Sequence, residues 1–365
     1  MTFRFGIRLP RPLHPPGASN GHEGAPRVCL LSREFQPLGT GGGIGTYAWN
    51  LARGLRHLGC HVEVVTAARG AAPRWVTAGV RVWPVRPLAV PPLARRSPLR
   101  ESLWRLAYSV GAARALEVVR REERVVVVEA PEWGAEALAS LLPERAAPVV
   151  VRLHTPQWLV DRLNHHPPGV GGRLAAWLER LALRHADAVS APSASLAEVA
   201  LGLQGIRPPA LGLIPNPVDT EVFSPAEEEP PGERVLYVGR LERRKGVETL
   251  ARALPLLRRH RPGVRCVFVG GDTPTGPGGT SYRAHLVRLL RALGCLEAVE
   301  FREPLPPGAL AEEYRRSAVC VVPSLYEAFG YTCFEAMACG RPVVCAATGG
   351  LAEWVRDGET GVVAP

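Results

Sequence analysis

Two doubly wound α/β domains facing a cleft are the fold class that this sequence predicts. Apolar strand-like runs alternate with helix-like periodic stretches, and the series restarts once. The strand-like runs are continuously apolar, which marks parallel strands covered on both faces. At 365 residues the chain is long enough for about two domains. A stretch rich in Pro and Glu stands between the two series.

Met1 to Pro26 is rich in Pro, Gly, His and Arg and lacks the roughly 7–15-residue apolar core of a signal peptide, so it reads as a flexible leader. The first domain covers 27–218. Val28–Ser32 is an apolar strand, followed by a glycine-rich loop from Gly39 to Gly45. The next helix carries Ile44, Tyr47, Ala48, Leu51, Leu55 and Leu58 on one face at helical spacing. Gly59 ends it, and His61–Thr66 is the second strand. Further strands are predicted at Val80–Val85, Val125–Glu129, Val149–His154, Ala188–Ala191 and Gly212–Ile214, with helices between them, including Gly172–His185. Residues 219–232 hold Pro225, three consecutive glutamates, Pro230 and Pro231, and read as a linker. The second domain, 233–365, opens with a strand at Arg234–Val238 and a helix to about His260. Strands then follow at Val264–Gly270, Val299–Phe301, Ala318–Pro323 and Pro342–Cys345. The helices between them are near Tyr282–Leu293, near Gly308–Arg316 and from about Thr332. Ligands of such sheets bind beyond the carboxyl ends of the strands.

No apolar run approaches the ~18 residues of a membrane span. The formal charge of +10 comes almost wholly from arginine. Neither a basic stripe with stacking aromatics nor a binding module accompanies it, so nucleic acid is not an expected partner. Basic residues do cluster at Arg95, Arg96, Arg100, Arg105, Arg120, Arg121 and Arg124, around an apolar set of Leu103, Trp104, Ala107, Val110, Leu116 and Val119. Two readings fit: a stripe buried on the core, or peripheral contact with an anionic membrane surface. Eight cysteines without a Cys-x-x-Cys pair suit buried, reduced thiols in the cytoplasm. The membrane reading would place the protein at the inner face of the membrane.

Lys245 is the one lysine among 44 Lys and Arg residues. It sits in Val-Gly-Arg-Leu-Glu-Arg-Arg-Lys-Gly, just past the Arg234–Val238 strand. A chance survivor is the bland explanation. A site that needs a compact ammonium is the sharper one, because guanidinium is planar and wider. Arg240 and Lys245 at a strand-to-helix turn suit a phosphate oxyanion. A second block runs from Pro323 through Glu327, Gly330 and Glu335 to Val344. One carboxylate falls in the loop after the strand and one in the first turn or so of the next helix, both facing the strand-end crevice. Such groups can accept hydrogen bonds from sugar hydroxyls, and the amides of Phe329 to Thr332 form a positive helix tip. Taken singly, either glutamate could instead cap a loop or complement a helix dipole.

The Pro323–Val344 block resembles the signature of the retaining glycosyltransferases of the GT-B fold, specifically family 4. Gly239-Arg240-Leu-Glu-Arg-Arg-Lys245-Gly246, Gly270-Gly271-Asp272, Thr348-Gly349-Gly350-Leu-Ala-Glu353 and Asp357-Gly358-Glu-Thr-Gly361 extend the resemblance. So do Gly42-Gly43-Ile44-Gly45 and Ile214-Pro-Asn216-Pro-Val-Asp219, and the whole covers roughly 27–365. The resemblance implies two Rossmann-like domains, an N-terminal one on the acceptor side and a C-terminal one for the nucleotide-sugar donor. It implies that Arg240 and Lys245, after Gly239, grip the donor diphosphate. Glu335 would hold the ribose hydroxyls. Glu327, with amides near Phe329 and Gly330, would hold the donor sugar. Gly43 would bring backbone close to the phosphate from the opposite domain, and His154 would face the transferred sugar. Relatives often have glycine near Glu303 in the base-binding region. They usually continue through a further helix and one that crosses back to the first domain, so at Pro365 this return helix is expected to be missing.

The expected activity is transfer of a hexose from a nucleoside diphosphate sugar, such as a UDP-sugar or GDP-mannose, to a hydroxyl of a glycan, a lipid-linked acceptor or a small molecule. Departure of the diphosphate builds negative charge that must be neutralised. No Asp-x-Asp occurs, so two cations and a helix tip are expected to do this without a metal, and no cofactor is expected. Two other classes stay open. Gly43-Ile-Gly45 with Glu63 is a poor form of a dinucleotide fingerprint and would suit an oxidoreductase. A noncatalytic sugar-nucleotide binding protein would use the same residues.

Overall fold

The computed structural model describes residues 25–38, 42–67, 75–85, 88, 97–141, 147–166, 168–227 and 232–365. Nearly all of the predicted leader, residues 39–41 of the glycine loop, Arg95, Arg96 and residues 228–231 of the linker lie outside them.

The first lobe is built on β1 (Arg27–Leu31), β2 (His61–Ala67), β3 (Trp75–Thr77), β4 (Val80–Val85), β5 (Val127–Pro131), β6 (Val149–Arg152), β7 (Ala188–Ala191) and β8 (Leu211–Leu213). They form one sheet in the order β3-β4-β2-β1-β5-β6-β7-β8, parallel except where β3 meets β4. Its helices are α1 (Gly43–His57), α2 (Arg100–Glu122), α3 (Gln157–Leu163), α4 (Val170–His185) and the short α5 (Ala194–Ala197). The second lobe holds β9 (Arg234–Val238), β10 (Arg265–Val269), β11 (Val299–Arg302), β12 (Val319–Val322), β13 (Val343–Ala346) and β14 (Val362–Ala364). These order as β11-β10-β9-β12-β13-β14, all parallel. Five helices cover them: α6 (Val247–His260), α7 (Tyr282–Ala292), α8 (Pro307–Arg315), α9 (Tyr331–Ala338) and α10 (Leu351–Trp354). Both sheets reverse strand order once, between β1 and β5 and between β9 and β12. Those are the places where a doubly wound sheet opens a crevice beyond its strand ends.

Several expectations need correcting. α1 begins at Gly43, so Gly45 is helical and the preceding loop is shorter than predicted. Leu58 lies past the helix as its C-cap and is 68% exposed, and Gly59 at φ 84° then turns the chain. The buried face of α2 is Ser102, Arg105, Tyr108, Ser109, Ala112, Leu116 and Val119, so only Leu116 and Val119 of the predicted apolar set are fully buried. Arg105 belongs to this inner face, held by Glu179 at 3.4 Å, Glu101 at 3.3 Å and Gln157 at 3.1 Å. A buried, paired arginine reads as polar in sequence and shifted the apparent stripe. At the far end of α2, Arg120 and Arg121 both pair with Glu117. These three arginines therefore carry their own counter-charges, and α2 lies against the core. No helix among the described residues is long and apolar enough to cross a membrane.

The start of the predicted linker is anchored. Phe223 is buried edge-on to Tyr314 of α8, and Arg315 donates to the carbonyls of Val222 and Ser224. All eight cysteines are free thiols, seven of them buried.

Candidate active site

The crevice at the β9/β12 switch point is built from two loops. After β9, Gly239 at φ 153° leads to Arg240, and residues Arg243–Lys245 form one 3-10 turn. Gly246 follows at φ 63° and opens α6. A Cβ at Gly246 would sit 1.7 Å from the carbonyl oxygen of Pro323, at the end of β12. Only a glycine lets the two loops touch there. That contact brings Lys245 to the loop after β12, where its Nζ donates to Glu327 Oε1 at 2.5 Å. Ser324 Oγ donates to the same oxygen at 2.8 Å.

The pair is mostly enclosed, with side-chain exposures of 20% for Lys245 and 8% for Glu327. Burial alone would raise the Glu327 carboxyl. The charges of Lys245 and Arg244, with hydrogen bonds from Lys245 and Ser324, outweigh it and hold the group below the usual carboxylate range. Burial draws the Lys245 ammonium below its ordinary value, and the Glu327 carboxylate opposes this. Arg240 is 58% exposed, its guanidinium 3.2 Å from Glu242, and is open to a ligand.

Phe329 is buried and stacks on Phe334 at 4.5 Å. Gly330, at φ 92°, is the N-cap of α9, and a Cβ there would meet Leu351 at 2.6 Å. The first amides of α9 lack intrahelical partners by construction and form its positive end. Lys245, Glu327, Phe329 and Gly330 are thus brought together. Glu335 is not. It lies in the second turn of α9 rather than the first, and its Oε2 accepts from Tyr314 Oη at 2.9 Å. Burial pushes its carboxyl up to about 7, against the pull of that hydrogen bond.

The first lobe supplies the opposite wall. His154 follows β6 and is buried. Its backbone N–H donates to Glu132 Oε2 at 2.7 Å, and its ring stands edge-on to Tyr47 at 5.2 Å. Its Nε2 is enclosed and has no hydrogen-bond partner among the described residues. Burial, with the nearby Arg152 charge, lowers the imidazole to about 3, so it is neutral at ordinary pH. Arg152 lies over the Tyr47 ring at 4.9 Å and donates to Asn216 Oδ1 at 2.6 Å. Gly43 is the first residue of α1, with open space where a Cβ would be.

Sequence reasoning missed the groups that tie these walls together. Asn164, which caps the end of α3, is buried against the other lobe. Its Oδ1 accepts from the Arg244 amide at 2.9 Å and its Nδ2 donates to Glu242 at 3.3 Å. Arg244 also donates to Glu242 at 2.8 Å. On the facing loop, Ser193 Oγ donates to the Ala328 carbonyl at 2.7 Å, and Glu353 accepts from the amides of Ala194 and Ser195. Arg244 and Glu242 lie inside the Lys245 motif and could have been flagged there. Asn164 and Ser193 carry no local pattern. Glu63, the acidic residue a dinucleotide site would need, is buried mid-sheet, taking Arg27 at 2.7 Å and Trp83 at 2.6 Å. It is not free at a strand end.

Residues 42–217 match the glycosyl transferase 4-like domain family, and residues 219–365 match the family of glycosyl transferases group 1. The chain is similar to the D-inositol 3-phosphate glycosyltransferase of Kribbella flavida, 31% identical over 93% of this chain and 84% of that protein. A second such enzyme, from Mycobacterium tuberculosis, is 32% identical over 96% of this chain and 75% of its own length. Among solved structures, sucrose-phosphate synthase from Thermosynechococcus elongatus superposes with a TM-score of 0.73 at 25% identity, covering 93% of this chain and 86% of that one. HepE of Anabaena, solved with UDP and glucose, shares the fold at a TM-score of 0.64 and 22% identity, covering 93% and 85%. With both lobes matched in order and these relatives aligned along most of its length, the chain belongs to the group 1, family 4 glycosyltransferases of the GT-B fold.

Proposed function

We propose that this glycosyltransferase moves a hexose from a nucleoside diphosphate sugar to an acceptor hydroxyl, keeping the anomeric configuration. The observation that carries the reading is Lys245 Nζ on Glu327 Oε1, at the strand-order reversal and three residues before the Gly330 helix tip. A diphosphate entering this crevice competes with Glu327 for the ammonium. Lys245 and Arg240 then take the phosphate oxygens, and the freed Glu327 carboxylate accepts from hydroxyls of the donor sugar. As the glycosyl–phosphate bond breaks, the two cations and the amide-lined tip of α9 stabilise the leaving charge. On this reading the charge is neutralised without a resident metal or cofactor.

Glu335 would reach the ribose. A carboxyl near 7 is part protonated at neutral pH and can both donate to and accept from a hydroxyl. Neutral His154 would contact the transferred sugar without adding charge beside it. Gly43 would admit the phosphate to the mouth of α1, since no side chain among the described residues occupies that space. Free, mostly buried thiols suit work in the cytoplasm. The acceptor class is a glycan, a lipid-linked sugar or a small polyol. D-inositol 3-phosphate, from the relatives' name, is the first small molecule to test.

Calorimetric titration with UDP, GDP, ADP and NAD tests the donor reading. One nucleoside diphosphate should bind and NAD should not, and preferential binding of NAD would overturn it. Incubation of the matching donor with acceptors, followed by NMR of the product's anomeric proton, tests the rest. An inverted anomer would remove the retaining assignment, and tight binding without nucleotide release would leave a noncatalytic binder.

A further inference from the structure

A second cavity lies beside the crevice. It has a volume of about 530 Å³, within the size range of small-ligand sites, and both lobes line it. The first lobe contributes Asn164, His165 and His166. The second contributes Arg243, Glu248, His285 and the glycine-rich loop 275–279. Neither Lys245 nor Glu327 lines it.

Arg243 and the two adjacent histidines are not engaged elsewhere among the described residues. Arg243 is exposed and has no carboxylate partner among the described residues. The rings of His165 and His166 have no hydrogen-bond partner among those residues either, and both side chains are exposed. His165 has a left-handed backbone at φ 56°, rare outside glycine, and this sharp turn ends α3 with both imidazoles on the cavity wall. The one carboxylate on the wall is already matched. Glu248 is held by Arg252 at 2.6 Å and by His285 at 3.0 Å. A guanidinium fork and two imidazoles around a hollow of this size form a donor set for a phosphate group.

We propose that this cavity binds a phosphate-bearing ligand, as free phosphate or a phosphomonoester, through Arg243, His165 and His166, at a site separate from the diphosphate crevice. The site adjoins the transfer machinery, because Arg243 shares its turn with Lys245, and Asn164 on the cavity wall bonds the Arg244 amide. The adjacent His165 and His166 and the Gly- and Pro-rich loop 275–279, which the proposed transfer does not use, meet here.

The test is calorimetry on the full chain saturated with UDP, titrated with inorganic phosphate and separately with glycerol 3-phosphate. The parent should bind at least one of them. Tighter binding of the ester would identify a phosphomonoester as the occupant, and equal or tighter binding of the inorganic ion would identify free phosphate. Arg243→Gln and the double variant His165→Asn/His166→Gln should each weaken binding by roughly tenfold, the scale of one or two charge-assisted hydrogen bonds, while UDP affinity stays unchanged. All three positions are exposed, so the variants should fold. No phosphate binding by the parent, or parent-like binding by the variants, would overturn the proposal. If UDP itself does not bind, GDP or ADP takes its place in the titration, and the donor reading falls only if none of the three binds. The same titration on Lys245→Ala protein, with the crevice ammonium removed, then tests the cavity alone.

Discussion

Replacing Lys245 by alanine separates folding from chemistry at a single position. The change removes an ammonium 2.5 Å from Glu327 and leaves a carboxylate that is 8% exposed, with the Ser324 hydroxyl at 2.8 Å as its remaining direct donor. Removing one partner of a buried pair costs on the order of 3–5 kcal/mol. Because the lysine side chain is itself 20% exposed, the low end applies, about 3 kcal/mol. Adding Glu327→Gln removes the stranded charge while an amide oxygen still accepts from Ser324, so most of the lost stability should return. Activity should not return with it. Losing one donor that stabilises developing charge costs on the order of 10²–10³ in rate, and the glutamine supplies no cation. Denaturant unfolding of the parent, both single variants and the double variant gives the coupling energy, and donor turnover at saturation gives the rate. If Lys245→Ala turns over within roughly threefold of the parent, the ammonium has no place in the reaction. If the double variant is no more stable than Lys245→Ala, the stranded-charge argument fails.

Gly246→Ala would drive a Cβ into the Pro323 carbonyl at a left-handed φ of 63°, so unfolding measurements should show a loss on the order of 2 kcal/mol, with a raised KM for donor as Lys245 shifts. Asn164→Ala strands the Arg244 amide and removes a donor from Glu242, both buried, and should cost about 1–3 kcal/mol in the same assay. Glu335 has a folded pKa near 7 against an ordinary 4.5, so its protonated form is favoured by folding. Its contribution is fully present below 4.5 and is lost as pH rises towards 7, a decline of about 3 kcal/mol. Glu335→Gln should flatten that part of the curve of melting temperature against pH, and an unchanged slope would contradict it.

Much of the fold was legible because buried parallel strands are written as continuous apolar runs. Val80–Val85, Ala188–Ala191 and Arg234–Val238 fall where those runs place them. β3 and β14 were not foreseen, since three residues at a sheet edge give no periodicity. The phase of α2 was misread because Arg105 is inside, and nothing local announces that Glu179 will meet it from α4. In the site, Lys245 and Glu327 were legible as members of two dense motifs. Their contact depends on a glycine touching a strand end, which sequence spacing does not encode. The direction of Glu335 is set by Tyr314, 21 residues away on another helix. Asn164 meets its partner from 78 residues away, across the meeting of two separately folded lobes, and no local pattern could reveal it.

The ties across the cleft have a mechanical consequence. Asn164 grips the turn that carries Lys245, and Ser193 grips the backbone beside Glu327. A hinge rotation that parts the lobes therefore tugs on both in the same stroke. On the proposed mechanism, product escape and dismantling of the charge trap would share one coordinate, and the enzyme would be poised for chemistry only while shut.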